Sequence, residues 1–202
     1  SSHRRTARVS EKLKGKSIVV FEELKYLGIT VAEHKDITDE GQTVDFPDAR
    51  TKAKDVVTET DEGVIDEKST IVDTVSYTNL TIGKEYTVKG TLMDKETGQP
   101  LKDGDKTVTS ETTFTAEQKD GSIEMTFTVS SDLLRGKTVV VFEDVYHNGE
   151  KIVTHADIND KDQTVVYPDA KTTAKDSRTQ SSIGVVGSKT EIIDTVAYTN
   201  LL

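Results

Sequence analysis

The chain has 202 residues, a formal net charge of −10, only 33% hydrophobic and 5% aromatic residues, and neither tryptophan nor cysteine. The charge argues against a nucleic-acid partner, because phosphate binding needs clustered lysine and arginine. Lack of cysteine excludes disulfides as a brace, and no apolar run is long enough to cross a bilayer, so this segment is expected to make no membrane contact.

From the amino end, the first strand-like run is Val19-Val20-Phe21-Glu22. A second stretch, Val31 to Val44, passes through an acidic turn and sets His34 eight residues before Gln42. Both return 121 positions later: the first as Val140-Val141-Phe142-Glu143, the second with His155 eight residues before Gln163. Phe46-Pro47-Asp48-Ala49 returns as Tyr167-Pro168-Asp169-Ala170, and Thr51-Lys52-Ala53-Lys54-Asp55 as Thr172-Thr173-Ala174-Lys175-Asp176. Ile71 to Leu80 returns as Ile192 to Leu201. A fixed period of this kind marks a tandem array. Pro47 and Pro168 punctuate it, since proline cannot donate to a strand ladder. Residues 49–169 then form one complete repeat, 1–48 the C-terminal part of a preceding one, and 170–202 the N-terminal part of a following one. Positions 82–121 have no second copy.

Inside the complete repeat, Tyr86, Val88, Gly90 and Leu92 alternate with polar neighbours, as do Ile123, Met125, Phe127 and Val129, the pattern of half-buried strands. The continuous run Val139 to Phe142 reads as a central strand buried on both faces. Lys95-Glu96-Thr97-Gly98 and Asn148-Gly149 are turn signals, the second a strong hairpin cue. No stretch supports a helix of more than a turn or two. The fold class is all-β: an antiparallel, immunoglobulin-like sandwich repeat with partial copies at both ends.

The polar residues that stand out are Thr51, Asp73, Glu143, His155 and Gln163. Taken singly, each has an ordinary reading as a strand or surface residue. Glu143 follows the most apolar strand, and Asp73 is flanked by Ile71, Val72 and Val75. Buried carboxyls must be paired or protonated, and two such groups at close range share one proton. The acidic turn Asp157 to Asp162 lacks the glycine and distal glutamate of a calcium loop. No metal or cofactor is called for.

The Val-Val-Phe-Glu strand, the His-x7-Gln-Thr-Val stretch and the preceding Thr-x-Ala-x-Asp segment together resemble the Thr–Gln ester-bond domains, or VaFE repeats, of Gram-positive surface-adhesin stalks. The resemblance covers essentially the whole chain. It implies a CnaB-like sandwich in which a threonine on the first strand and a glutamine on the last condense to a side-chain ester, releasing ammonia. On this chain, Thr51 matches the nucleophile and Gln163 the acyl donor. His155 matches the histidine that assists proton transfer, and Asp73 and Glu143 the acidic pair that polarises the amide. Thr58, Thr60 and Thr74 are neighbouring hydroxyls that compete for the first role.

Such a reaction turns over once, so the chain is both catalyst and substrate and not an enzyme in the usual sense. The flanks carry partial second sets: Glu22, His34 and Gln42 in one, Thr172 and Asp194 in the other. The implied partners are neighbouring repeats of the same adhesin, and an intermolecular ester between the half-repeats of two chains is the covalent form of that contact. The resemblance implies an extracellular place on a bacterial cell surface, in a wall-anchored parent. An immunoglobulin-like ligand-binding module without a crosslink is the alternative. A hydrolase using Thr51 and His155 is disfavoured because no glycine-rich nucleophile turn or oxyanion motif accompanies them.

Overall fold

The computed structural model describes residues 11–201; the first ten residues of the 1–48 segment and Leu202 lie outside it. In chain order the strands are β1 (Lys16–Val19), β2 (Glu22–Tyr26), β3 (Ile29–His34), β4 (Thr43–Phe46), β5 (Asp48–Asp55), β6 (Lys68–Thr78), β7 (Glu85–Asp94), β8 (Gln99–Pro100), β9 (Lys102–Asp103), β10 (Lys106–Thr107), β11 (Thr109–Thr115), β12 (Gly121–Ser130), β13 (Thr138–His147), β14 (Glu150–His155), β15 (Thr164–Val166), β16 (Asp169–Asp176) and β17 (Ile192–Thr199). A one-turn helix, α1 (Ser131–Leu134), links β12 to β13.

The central unit is a sandwich of two antiparallel sheets. One has the order β12-β6-β5; the other runs β11-β7-β13-β14, with β15 pairing β13 beyond the end of β14 and β8 pairing β7. The two-residue period of the sequence sets which side chains enter the core. Ile71, Val75, Tyr77, Met125, Phe127 and Val129 come from the first sheet, and Tyr86, Val88, Leu92, Val139, Val141 and Val145 from the second. The expectation for Val139 to Phe142 needs one adjustment: Val139, Val140 and Val141 are fully buried, whereas Phe142 lies half-exposed on the outer face. Only the first part of β13, which β15 flanks, is buried on both faces; further along, in and out alternate again. Asn148 and Gly149 turn β13 into β14 with φ of +50° and +80°, the left-handed pair that a two-residue hairpin needs.

Gly90 fits a crowded place in the core. A Cβ there would lie 2.5 Å from Met125 Cε and from Phe127 Cζ, so the opposite sheet closes onto bare backbone. Gly90 is also the register partner of Glu143. The missing side chain thus lets the sandwich close beside a buried carboxyl.

The flanking segments repeat parts of this architecture in the same register. Glu22 pairs with His34 as Glu143 pairs with His155, and Ser17 with Asp45 as Thr138 with Val166. Asp169 pairs with Thr199 as Asp48 pairs with Thr78. What differs is burial. Val20, Ile192 and Val196 are 43%, 70% and 54% exposed, although their counterparts Val141, Ile71 and Val75 are at most 1% exposed. Local sequence and pairing set the hairpins; the facing sheet decides whether their apolar side is covered.

Candidate functional site

The site lies between the sheets, where three strands interrupt their apolar rows with polar residues. On β5 the inward positions are Ala49, Thr51, Ala53 and Asp55, and on β6 they are Ser69, Ile71, Asp73, Val75 and Tyr77. Asp73 is paired with the small Ala53, which leaves room for a carboxyl. Glu143 is the inward polar residue of β13, and Gln163 immediately precedes β15. Thr51, Asp73, Glu143 and Gln163 are 7%, 0%, 2% and 0% exposed. These four form one buried polar cluster in an otherwise apolar core.

Its contacts are specific. Thr51 Oγ1 donates to Glu143 Oε2 at 3.2 Å, and Gln163 Nε2 donates to Asp73 Oδ1 at 3.4 Å. The hydroxyl and the carboxamide thus each rest on one member of the acid pair. Asp73 Oδ2, Glu143 Oε1 and Gln163 Oε1 are buried without a hydrogen-bond partner, a costly state for polar atoms that serve only the fold. The competing hydroxyls go elsewhere. Thr58 donates to the Glu62 carbonyl, Thr60 donates to Thr58, and Thr74 occupies an outward position of β6.

Burial pushes both carboxyls above their ordinary range, because desolvation penalises the charged form. Glu143 is raised further, since the charge of Asp73 stands beside it and its own proton bonds to Asp73. On Asp73 the bond from Glu143 and the field of His155 oppose the effect of burial. The pair therefore holds one proton between two carboxyls at neutral pH.

His155 ends β14 directly opposite Glu143. Its side chain is 25% exposed, and its Nε2 lies 2.7 Å from Asp160 Oδ2. Asp160 is itself fixed, because its Oδ1 accepts the Asp162 amide. The sequence reading missed Asp160 by weighing it as part of a calcium turn. The signal was present: His34, Asp39 and Gln42 have the same spacing as His155, Asp160 and Gln163, and His34 Nε2 lies 2.5 Å from Asp39 Oδ2. Asp157 Oδ1 likewise accepts the Asn159 amide within its own turn. Among the described residues no group of three or more potential metal ligands gathers.

The partial sets are not brought together. Glu22 and His34 face each other on β2 and β3, and Gln42 lies half-buried just before β4. Thr172 and Asp194 are exposed on β16 and β17, with Asp194 opposite Ala174 as Asp73 is opposite Ala53. The two hairpins belong to separate two-stranded sheets.

Residues 6–46, 47–167 and 168–202 each match the family model described as T-Q ester bond containing domain. Among solved structures, the chain is similar to a bacterial adhesin from Mobiluncus mulieris described as containing intramolecular disulfide, isopeptide and ester bond cross-links. In two crystal forms the TM-scores are 0.51 and 0.54, at 16% identity over 74% of this chain and 76% of that one. At that identity the likeness speaks for the fold. No curated protein sequence matches significantly.

Proposed function

We infer the function from a premise that the three family matches supply: this chain belongs to the T-Q ester bond containing domain family. The reading is that residues 49–169 are a complete stalk unit of a bacterial surface adhesin, closed by an ester between Thr51 and Gln163. The observation that carries it is the pair of hydrogen bonds that set the Thr51 hydroxyl and the Gln163 carboxamide on the two carboxyls of one buried acid pair.

The proposed step balances as follows. Thr51 Oγ1 attacks the Gln163 side-chain carbonyl carbon, and its proton passes to Glu143 Oε2. The C–N bond of the tetrahedral intermediate then breaks. Its nitrogen takes a proton from Asp73, leaves as ammonia, and the Oγ1–C ester bond remains. One proton enters the acid pair and one leaves it, so the pair ends as it began. A hydroxyl is a poor nucleophile until its proton has somewhere to go, and an amide nitrogen is a poor leaving group until it is protonated. Holding both at contact distance supplies about 7–11 kcal/mol of the barrier. His155, oriented by Asp160 and reaching solvent, is the group through which the pair exchanges protons with water.

Exchanging an amide for an ester is unfavourable as bond chemistry, so the product is protected by escape of ammonia and exclusion of water. The full burial of Gln163 and Asp73 supports the second condition. In this reading, 1–48 and 170–202 are parts of adjoining units. Their half-sets, Glu22, His34 and Gln42 and Thr172 and Asp194, complete sites with complementary sets in other repeats, within a longer chain or between chains. The parent is wall-anchored and extracellular, and the chemistry is a single turnover. Intact mass spectrometry tests the reading: the chain should weigh one ammonia less than its sequence for each ester, and Thr51→Ala and Gln163→Ala should each restore the mass lost in the central unit. An unaltered chain of full sequence mass would overturn it.

A further inference from the structure

The two places where one repeat passes into the next have the same construction, and it is not that of a flexible linker. β4 ends at Phe46 and β5 begins at Asp48, with Pro47 alone between them; β15 ends at Val166 and β16 begins at Asp169 after Tyr167 and Pro168. Proline fixes one backbone angle in each connection, and nothing rich in glycine or serine supplies slack.

Beside each connection a glycine of the preceding repeat meets the first hairpin of the next. Gly136 has φ of +70°, and a Cβ there would stand 3.3 Å from Asp169 Cβ and 3.4 Å from Thr199 Oγ1. Gly15, its counterpart, has φ of +71° and would place a Cβ 3.8 Å from Asp48 Cβ and 3.5 Å from Thr78 Oγ1. The left-handed angle and the close approach both favour glycine. An asparagine follows the hairpin at each joint, Asn79 with φ of +62° and Asn200 with φ of +54°. Asn200 Nδ2 donates to the Gly136 carbonyl at 2.8 Å and to the Tyr167 carbonyl at 3.4 Å. Asn79 is 9% exposed, and its Oδ1 accepts from Ser17 Oγ at 3.3 Å.

Charge adds to both contacts: Arg135 Nη1 lies 3.6 Å from Asp169 Oδ1, and Lys119 Nζ lies 3.7 Å from Asp45 Oδ2. These pairs are exposed and worth little alone. Their place in the argument is geometric, since each spans the joint.

We propose that a glycine–asparagine latch joins successive repeats in one fixed orientation, with Gly136 and its neighbours forming the seat and Asn200, Thr199 and Asp169 of the next hairpin the part that docks. The partner of this surface is the following repeat of the same chain. The proposal rests on the stalk reading for its purpose and on the repeated joint for its geometry. A stalk so built holds its shape between esters, and its repeats do not swing about the prolines.

The chain has no cysteine, so two spin labels can be placed cleanly on the full chain, at Glu124→Cys on β12 and Lys171→Cys on β16, both exposed. Pulsed electron resonance should then give a single narrow distance peak. Asn200→Ala, and separately Arg135→Ala, which leaves the β16–β17 hairpin untouched, should broaden it. A broad distribution in the unsubstituted joint overturns the proposal, and so does a peak that stays equally narrow in both variants. The intact mass of the same samples reports the Thr51–Gln163 ester independently. A narrow peak on a chain of full sequence mass would leave the joint standing and remove the crosslink.

Discussion

Thr51 Oγ1 donates to Glu143 Oε2 across the interior of the sandwich at 3.2 Å, joining residues 92 positions apart on strands of different sheets. This contact gives the nucleophile's proton a destination before any chemistry takes place. Replacing Glu143 by glutamine keeps the volume and removes both the acceptor and the shared proton. Glu143→Gln should slow crosslinking by about 10²–10⁴-fold, the range that a positioned proton-transfer group supplies. The time course of ammonia loss after refolding, followed by intact mass, measures it. Crosslinking at the unaltered rate would remove Glu143 from the reaction.

The crosslink is expected to stabilise chiefly by restricting the unfolded chain. Closing a loop of about 110 residues contributes about 4–5 kcal/mol if the native geometry is unstrained. Thr51→Ala should therefore lower unfolding stability by about that amount, and Thr51→Ser should recover it wherever the mass shows that the ester has formed. Denaturant titration of both variants is the measurement.

How much of this was legible in the sequence depends on range. Register was legible, because a 121-residue repeat and a two-residue alternation leave little freedom: Glu143 falls opposite His155, and Glu22 opposite His34. The reading of Asn148-Gly149 as a hairpin turn also matches the structure. Choosing among Thr51, Thr58, Thr60 and Thr74 was not possible from spacing, because the choice depends on which hydroxyl a strand of the other sheet meets. Asp160 was hidden for a different reason. An acidic turn looks alike whether its carboxylates hold a cation, cap backbone amides or orient an imidazole, and only the side-chain directions tell these apart. Phe142 carried an apolar signal, yet it lies half-exposed on the outer face once β13 has passed β15.

Asp160 should act through His155. Asp160→Asn keeps the shape but replaces the carboxylate that meets Nε2, so it should slow ester formation by about 10²-fold, the lower end of a proton-transfer contribution. It should also change the pH profile of the rate, which a purely structural loss in the turn would not. Parallel rate profiles for Asp160→Asn and the unaltered chain would separate Asp160 from the chemistry.

The acid pair also predicts how stability depends on pH when the ester is prevented. In Thr51→Ala, Asp73 and Glu143 remain buried, and each has a folded-state pKa above its unfolded value. A raised carboxyl binds more protons folded than unfolded, so its contribution is complete below the ordinary carboxylate range and is lost as pH rises through the folded value. Thr51→Ala should therefore become less stable as pH climbs from that range toward neutrality and beyond, the reverse of a salt-bridged carboxylate. Adding Asp73→Asn and Glu143→Gln should flatten the dependence. Urea unfolding across pH decides it, and a stability that rises with pH in Thr51→Ala alone would show that the pair is not held protonated.

Gly90 provides the packing counterpart to these electrostatic tests. Its α-carbon faces Met125 and Phe127, and its register partner is Glu143. A methyl group there has no space unless the two sheets separate or Phe127 changes rotamer. Gly90→Ala should cost about 1–3 kcal/mol by overpacking, even though alanine is otherwise the better strand residue. The same displacement moves β7 against β13 beside the acid pair, so the yield of ester should fall together with stability. If stability fell while the ester formed at its normal rate, the spacing of the sheets at Gly90 would matter to the core and not to the reaction.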